Sequence, residues 1–157
     1  MSAETLLATL TRRGLSVATA ESLTAGLVCD LLAQVPGASA AFKGGVVAYA
    51  TEVKDTVLGI NPMLLEHVVS QSVAEAMSQR CTVVLQSDLG LATTGVAGPD
   101  ALDGQPVGTV WIAATLRGFT LSREEHFTGG RQQIREQAAA AAVALGEYIL
   151  RERNAGE

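Results

Sequence analysis

Leu15-Ser16-Val17-Ala18-Thr19-Ala20-Glu21-Ser22-Leu23-Thr24-Ala25-Gly26 changes its period halfway along. Leu15 to Ala20 alternates in the manner of a short strand. From there Leu23, Leu27, Val28, Leu31 and Leu32 recur at helical spacing until Pro36-Gly37 stops them. A strand feeding directly into a helix is the first half of a βα unit. The same alternation continues outward in both directions. Upstream, Leu6, Leu7 and Leu10 mark a helix closed by Gly14 as a C-cap. Downstream, Gly44 to Ala50 reads as a buried strand carrying Val46, Val47 and Tyr49, followed by a short helix over Glu52 to Leu58.

Ser72-Val73-Ala74-Glu75 has the form of a capping box, opening a helix whose inner face is Val73, Met77, Cys81 and Val84. Leu89 to Thr94 is a strand running into Gly95-Val96-Ala97-Gly98-Pro99. Val107 to Thr115 and Phe119 to Phe127 form a hairpin about Arg117-Gly118. Thr128-Gly129-Gly130 leads into a last helix striped by Ile134, Ala138, Ala141, Leu145 and Tyr148. The polar tail from Arg151 to Glu157 reads as frayed. Strands and helices in this order predict an α/β fold: a three-layer α/β/α sandwich with a mixed, mostly parallel sheet. A length of 157 residues suits one domain spanning 1–157.

Composition narrows the function classes. Hydrophobic residues make up 48% and the mean hydropathy is +0.27, much of it from alanine. No apolar run approaches the roughly 20 residues of a membrane span. The amino terminus lacks a basic segment followed by an apolar one, so no signal peptide is expected and a cytoplasmic location is the default. A net charge of -5, no basic run and 4% aromatics argue against nucleic acid as a direct partner. Cys29 and Cys81 read as buried free thiols. His67 and His126 have no metal-ligand spacing, and no metal site is expected.

Ligands of such sheets bind beyond the carboxyl ends of the strands. Glu21 to Gly26, Ala50 to Lys54 and Thr94 to Gly98 all fall there. Ser22 reads either as a helix N-cap or as a nucleophile on a sharp turn, with amides of the helix end facing a developing oxyanion. Lys54 is one of two lysines, against nine arginines. It reads either as a solvated first-turn cation or as the base a serine hydroxyl needs, if burial lowers its pKa. Arginine cannot take that role. Glu21 could orient Lys54, bind a substrate hydroxyl, or favour a helix start. Tyr49 could stack on a ring or fill the core, and Thr24 could meet a substrate oxygen or cap locally. Gly95-Val96-Ala97-Gly98 is a tight turn or an amide cradle for a phosphate or carbonyl, but not a P-loop, since no Gly-Lys-Ser/Thr follows. Thr128-Gly129-Gly130-Arg131 is a second candidate anion cradle, while Asp100 and Asp103 read as solvated. A Ser-His-Asp triad has little support, because no G-x-S-x-G surrounds any serine.

Four motifs in order carry a family resemblance. Thr19-Ala20-Glu21-Ser22-x-Thr24-x-Gly26, Gly45-Val46-Val47-x-Tyr49-x-x-Glu52-x-Lys54, Thr94-Gly95-Val96-Ala97-Gly98-Pro99 and Pro106-Val107-Gly108-Thr109-Val110 resemble the CinA carboxy-terminal domain, whose stand-alone members are the PncC-type nicotinamide-mononucleotide deamidases. The resemblance runs from about Glu4 to Ile149. It implies a three-layer α/β/α domain, commonly a homodimer, that hydrolyses the amide of nicotinamide mononucleotide without metal or cofactor. Carried over by motif, Ser22 is the nucleophile and Lys54 the general base. Substrate contacts are expected from Glu21, Thr24, Gly26, Tyr49, Thr51, Thr94, Gly95, Ala97, Gly98 and Arg131. The chain departs from the family pattern at Ala25, where a glycine is usual, and at Ala50-Thr51, where serine and asparagine are usual. Those departures motivate an alternative: a non-catalytic binding module in a competence or DNA-damage setting, with a protein partner.

Overall fold

The computed structural model describes residues 2–154, so part of the expected frayed tail, 155–157, lies outside the described residues. Its helices are α1 (Ala3–Arg13), α2 (Leu27–Ala33), α3 (Thr51–Thr56), α4 (Gln71–Val84) and α5 (Arg131–Glu152). The strands are β1 (Val17–Glu21), β2 (Phe42–Val47), β3 (Leu89–Gly95), β4 (Thr109–Leu116) and β5 (Phe119–His126). Short 3-10 turns cover Ala38–Ala40 and Pro62–Glu66. Among the described residues no helix is long and apolar enough to cross a membrane.

The five strands form one sheet in the order β2-β1-β3-β4-β5. β1 pairs parallel with both β2 and β3, while β4 runs antiparallel to β3 and to β5. Four strands therefore share a direction and β4 opposes them, which gives the mixed α/β sandwich expected. The larger core packs α1, α2 and α5 on one face of the sheet around Leu6, Leu10, Leu32, Leu91, Ile112 and Ile149. The smaller core lies under α4 and joins Ala18, Ala20 and Ala92 to Met77, Cys81, Leu58 and Ile60.

Small residues on the α4 side of the sheet let that helix approach closely. At Gly90, a Cβ would lie 2.1 Å from the Ser78 carbonyl oxygen, which is backbone and cannot swing aside. Gly90→Ala should therefore push α4 off β3, at a cost of about 1–3 kcal/mol. Thermal unfolding should show a Tm lower by roughly 3–10 °C. An unchanged Tm would remove the close-approach argument.

Several elements differ from the sequence expectation, each for a physical reason. All five positions of β1 are buried, because a central strand is covered on both faces and its alternation carries no exposure signal. β2 is an edge strand with alternating burial and ends at Val47, leaving Tyr49 in the following loop, 54% exposed. The α4 cap is Ser70, which accepts from the Val73 N–H; Ser72 lies inside the helix and Glu75 binds Gln71 and Ser122 instead. Val84, at the end of α4, is exposed. Arg151 and Glu152 belong to the last turn of α5. The hairpin turn falls at Arg117-Gly118 as expected, with both residues at positive φ.

Candidate active site

Ser22 follows β1, but it does not cap α2. Residues 22–26 form a separate turn, and the helix begins at Leu27. The turn needs two left-handed residues, Ala25 at φ 46° and Gly26 at φ 103°. The conformation that glycine favours is thus kept at Ala25, with the strain a Cβ brings there. The Ser22 N–H donates to the Thr93 carbonyl (3.1 Å), which ties the turn to β3.

Glu21 holds this turn from within. Its fully buried carboxylate accepts from the N–H groups of Gly26 (3.2 Å), Val28 (2.8 Å) and Cys29 (3.1 Å) and from the hydroxyls of Thr24 (2.7 Å) and Thr19 (3.3 Å). It supplies from a distance the cap that α2 lacks locally. Thr24 is equally buried and reaches Thr93 Oγ1 at 2.8 Å. The Thr94 hydroxyl, 1% exposed, donates to the Val68 carbonyl (2.7 Å). Glu21, Thr24, Gly26 and Thr94, expected to contact substrate, make these contacts within the scaffold, and none is among the residues lining the cleft in front of Ser22. The amides at the start of α2 are likewise taken by Glu21 and do not face an oxyanion.

Lys54 comes from α3, whose side chain turns inward under the β2–α3 loop. It is 2% exposed. Its Nζ donates to the carbonyls of Ala48 (2.6 Å) and Tyr49 (3.4 Å) and lies 3.1 Å from Ser22 Oγ. Burial lowers its pKa from 10.5 to about 8. Among the described residues no carboxylate forms a salt bridge with it. A neutral amine has two N–H groups and one lone pair. Here two carbonyls take the N–H groups, which leaves the lone pair for the Ser22 hydroxyl proton.

In front of Ser22 lies a cleft of about 350 Å³, lined by Ser22, Leu23, Tyr49, Gly95 to Leu102 and Arg131. Gly98 takes φ 88°. Arg131, at the start of α5, donates to the Tyr49 hydroxyl (2.7 Å) and to the Gly98 carbonyl (2.5 Å) and so joins three segments at the cleft. Tyr49, Gly95, Ala97, Gly98 and Arg131 are therefore brought together with Ser22. Thr51 is exposed at the first position of α3 and does not line the cleft. Among the described residues, the N–H groups of Leu23, Thr24, Ala97 and Gly98 meet no acceptor. Leu23, Ala97 and Gly98 line the same cleft as Ser22.

Asp103, expected in solvent, accepts from the Val69 N–H (3.2 Å) and pairs with His67, which pins the β3–β4 loop to the segment before α4. His126 pairs with Glu124. Burial pushes the Cys29 thiol up to about 11 and the Cys81 thiol up to about 12, so neither is a reactive thiolate. One residue near the site gave no sequence signal: Arg135, on α5, whose guanidinium contacts the turn that carries Ser22. Helical periodicity places it beside the buried Ile134 without marking it.

Comparison with known proteins places the chain in a family. The family model for the CinA C-terminal domain matches residues 1–150. A CinA superfamily protein of Klebsiella pneumoniae superposes with a TM-score of 0.92 at 31% identity, covering 96% of both chains. The competence/damage inducible protein CihA of Agrobacterium tumefaciens gives a TM-score of 0.89 at 31% identity, over 95% of this chain and 93% of that one. A CinA-like protein of Frankia casuarinae is 44% identical over 147 residues, which are 92% of this chain and 34% of its own. The chain spans about a third of the length of the curated relatives it matches. The chain belongs to the CinA C-terminal domain family.

Proposed function

We propose that this chain is a serine amidohydrolase that converts nicotinamide mononucleotide to nicotinic acid mononucleotide and ammonia. The observation that carries the reading is Lys54: a buried amine with no carboxylate partner among the described residues, 3.1 Å from a serine hydroxyl at a cleft. In that setting the amine loses its proton near pH 8, and its neutral form can accept one from serine. Ser22 Oγ attacks the carboxamide carbon while Lys54 takes its proton. The C–N bond then breaks as Lys54 returns the proton to departing ammonia. Water adds to the acyl-enzyme, Lys54 again moves the proton, and nicotinic acid mononucleotide leaves with Ser22 restored. The amides of Leu23, Ala97 and Gly98, which have no acceptor among the described residues, supply donors for the tetrahedral oxyanion.

The cleft volume lies within the range of small-molecule sites. Arg131 is the cation available for the phosphate, and Tyr49 presents a ring beside it. Ammonia release from nicotinamide mononucleotide by purified protein tests the assignment directly; absence of release at any pH from 7 to 10 would remove it. Arg131→Ala should raise KM for the mononucleotide about 10- to 100-fold, the worth of a charge-assisted contact. The same substitution should change turnover of the dephosphorylated nucleoside little. Equal losses on both substrates would place Arg131 elsewhere than on the phosphate.

A further inference from the structure

We propose that Arg135 is a positioning residue, which sets the peptide planes of the Ser22 turn so that the turn can serve as part of the oxyanion site. This rests on the Ser/Lys hydrolase reading above and extends it to a residue outside the cleft lining. Arg135 Nε donates to the Leu23 carbonyl at 2.8 Å, Nη2 donates to the Thr24 carbonyl at 3.2 Å, and Nη1 donates to Gln132 Oε1 at 2.6 Å. One planar fork thus grips two consecutive carbonyls immediately after the nucleophile, and its third arm is braced within α5.

The grip has a direct consequence for the amides. In a trans peptide the C=O and the next N–H point to opposite edges of one plane. Holding the Thr24 carbonyl sets the Thr24–Ala25 plane, whose N–H donates to the Ser22 carbonyl at 3.1 Å, and that carbonyl shares its own plane with the Leu23 N–H on the opposite edge. The Leu23 N–H, at the cleft, has no acceptor among the described residues. The turn contains left-handed Ala25 and Gly26, so its planes are not set by helix or sheet bonding. Glu21 fixes it from the inside through Thr24 Oγ1 and the Gly26 N–H. Arg135 fixes it from the outside through carbonyls. A guanidinium on a carbonyl also polarises that peptide and makes its N–H a stronger donor. The two carbonyl contacts serve the turn, and through it the developing charge at Ser22.

The test reads Ser22 itself, independent of substrate identity. A small alkyl fluorophosphonate is attacked by Ser22 Oγ, fluoride leaves, and the product is a stable phosphonyl-serine whose rate of formation needs the same oxyanion donors. In Arg135→Ala, labelling should slow about 10- to 100-fold, the effect of a misplaced donor rather than a deleted one. For the mononucleotide, kcat should fall to a similar extent with KM within a few-fold. Free guanidinium at a sub-denaturing concentration should restore part of the labelling rate in Arg135→Ala and leave the wild type unchanged. Arg135→Lys, which keeps the charge but cannot span both carbonyls as a fork, should be intermediate. It serves if the alanine variant does not fold. Labelling at the wild-type rate in folded Arg135→Ala, or in Arg135→Lys where that is the variant measured, overturns the proposal. Wild-type protein that labels at Ser22 but releases no ammonia from the mononucleotide overturns the substrate assignment, and the labelling rates still decide Arg135. Wild-type protein that does not label at Ser22 overturns both.

Discussion

Ser22→Ala is expected to lower ammonia release from nicotinamide mononucleotide on the order of 10⁴-fold or more, the effect of deleting an acyl-transfer nucleophile. The loss should fall in kcat. What surrounds Ser22 survives the substitution: its backbone N–H still donates to Thr93, and Lys54 keeps the carbonyls of Ala48 and Tyr49. The turn is held by Glu21 and Arg135, neither of which touches the Ser22 hydroxyl. Removing one half-buried hydroxyl should therefore shift Tm by no more than a few degrees. The Kd for the mononucleotide, measured by calorimetry on the inactive variant, should stay within a few-fold of the wild-type KM. This combination separates a nucleophile from a structural serine. A merely structural Ser22 would lose stability and activity together, and full activity in Ser22→Ala would sink the covalent mechanism.

The βα period change at residues 15–33 and the later hairpin were enough to read the layered fold. Periodicity reports which side of an element faces a core, and here it reported well for α1; in α5 it found Ile134, Ala138 and Leu145 but missed a wider buried face that includes Ala142, Val143 and Ile149. It failed where coverage depends on strand order, which no local pattern contains. β1, read as alternating, is central and buried throughout, whereas β2, read as a buried strand, sits at an edge with alternating burial. The site was legible in the same uneven way. Ser22, Lys54, Tyr49, the 95–98 loop and Arg131 were singled out, and the fold brings them together. Glu21 and Thr24 lie in the same motif as Ser22, yet their side chains point into the scaffold. A strand sends successive side chains to opposite faces, and the Glu21 face is that of α2. Arg135 was invisible because its role is defined by backbone carbonyls 112 and 111 residues away, and a carbonyl leaves no mark on residue type.

Lys54→Arg and Lys54→Met should both reduce kcat by about 10³-fold or more, since arginine stays charged and methionine cannot accept a proton. The pH dependence is the sharper measurement. Burial disfavours the ammonium form, so Lys54 loses its proton near pH 8 in the folded chain rather than near 10.5. Wild-type kcat/KM should therefore rise about tenfold per pH unit below about 8 and level off above it. The residual rate of Lys54→Met should lack that step. Stability carries the same signature with a definite sign. Below about pH 8 both folded and unfolded chains hold the proton, and the full cost of burying the charge is present. Between about 8 and 10.5 only the unfolded chain holds it, so the unfolded state binds more protons and stability rises with pH. Lys54→Met lacks this group. The difference in Tm between wild type and Lys54→Met should therefore shift toward the wild type as pH goes from 7 to 10. A difference that does not move over that range would mean that Lys54 keeps an ordinary lysine pKa, and a lysine that holds its proton up to about pH 10 could not produce the rise in rate toward pH 8.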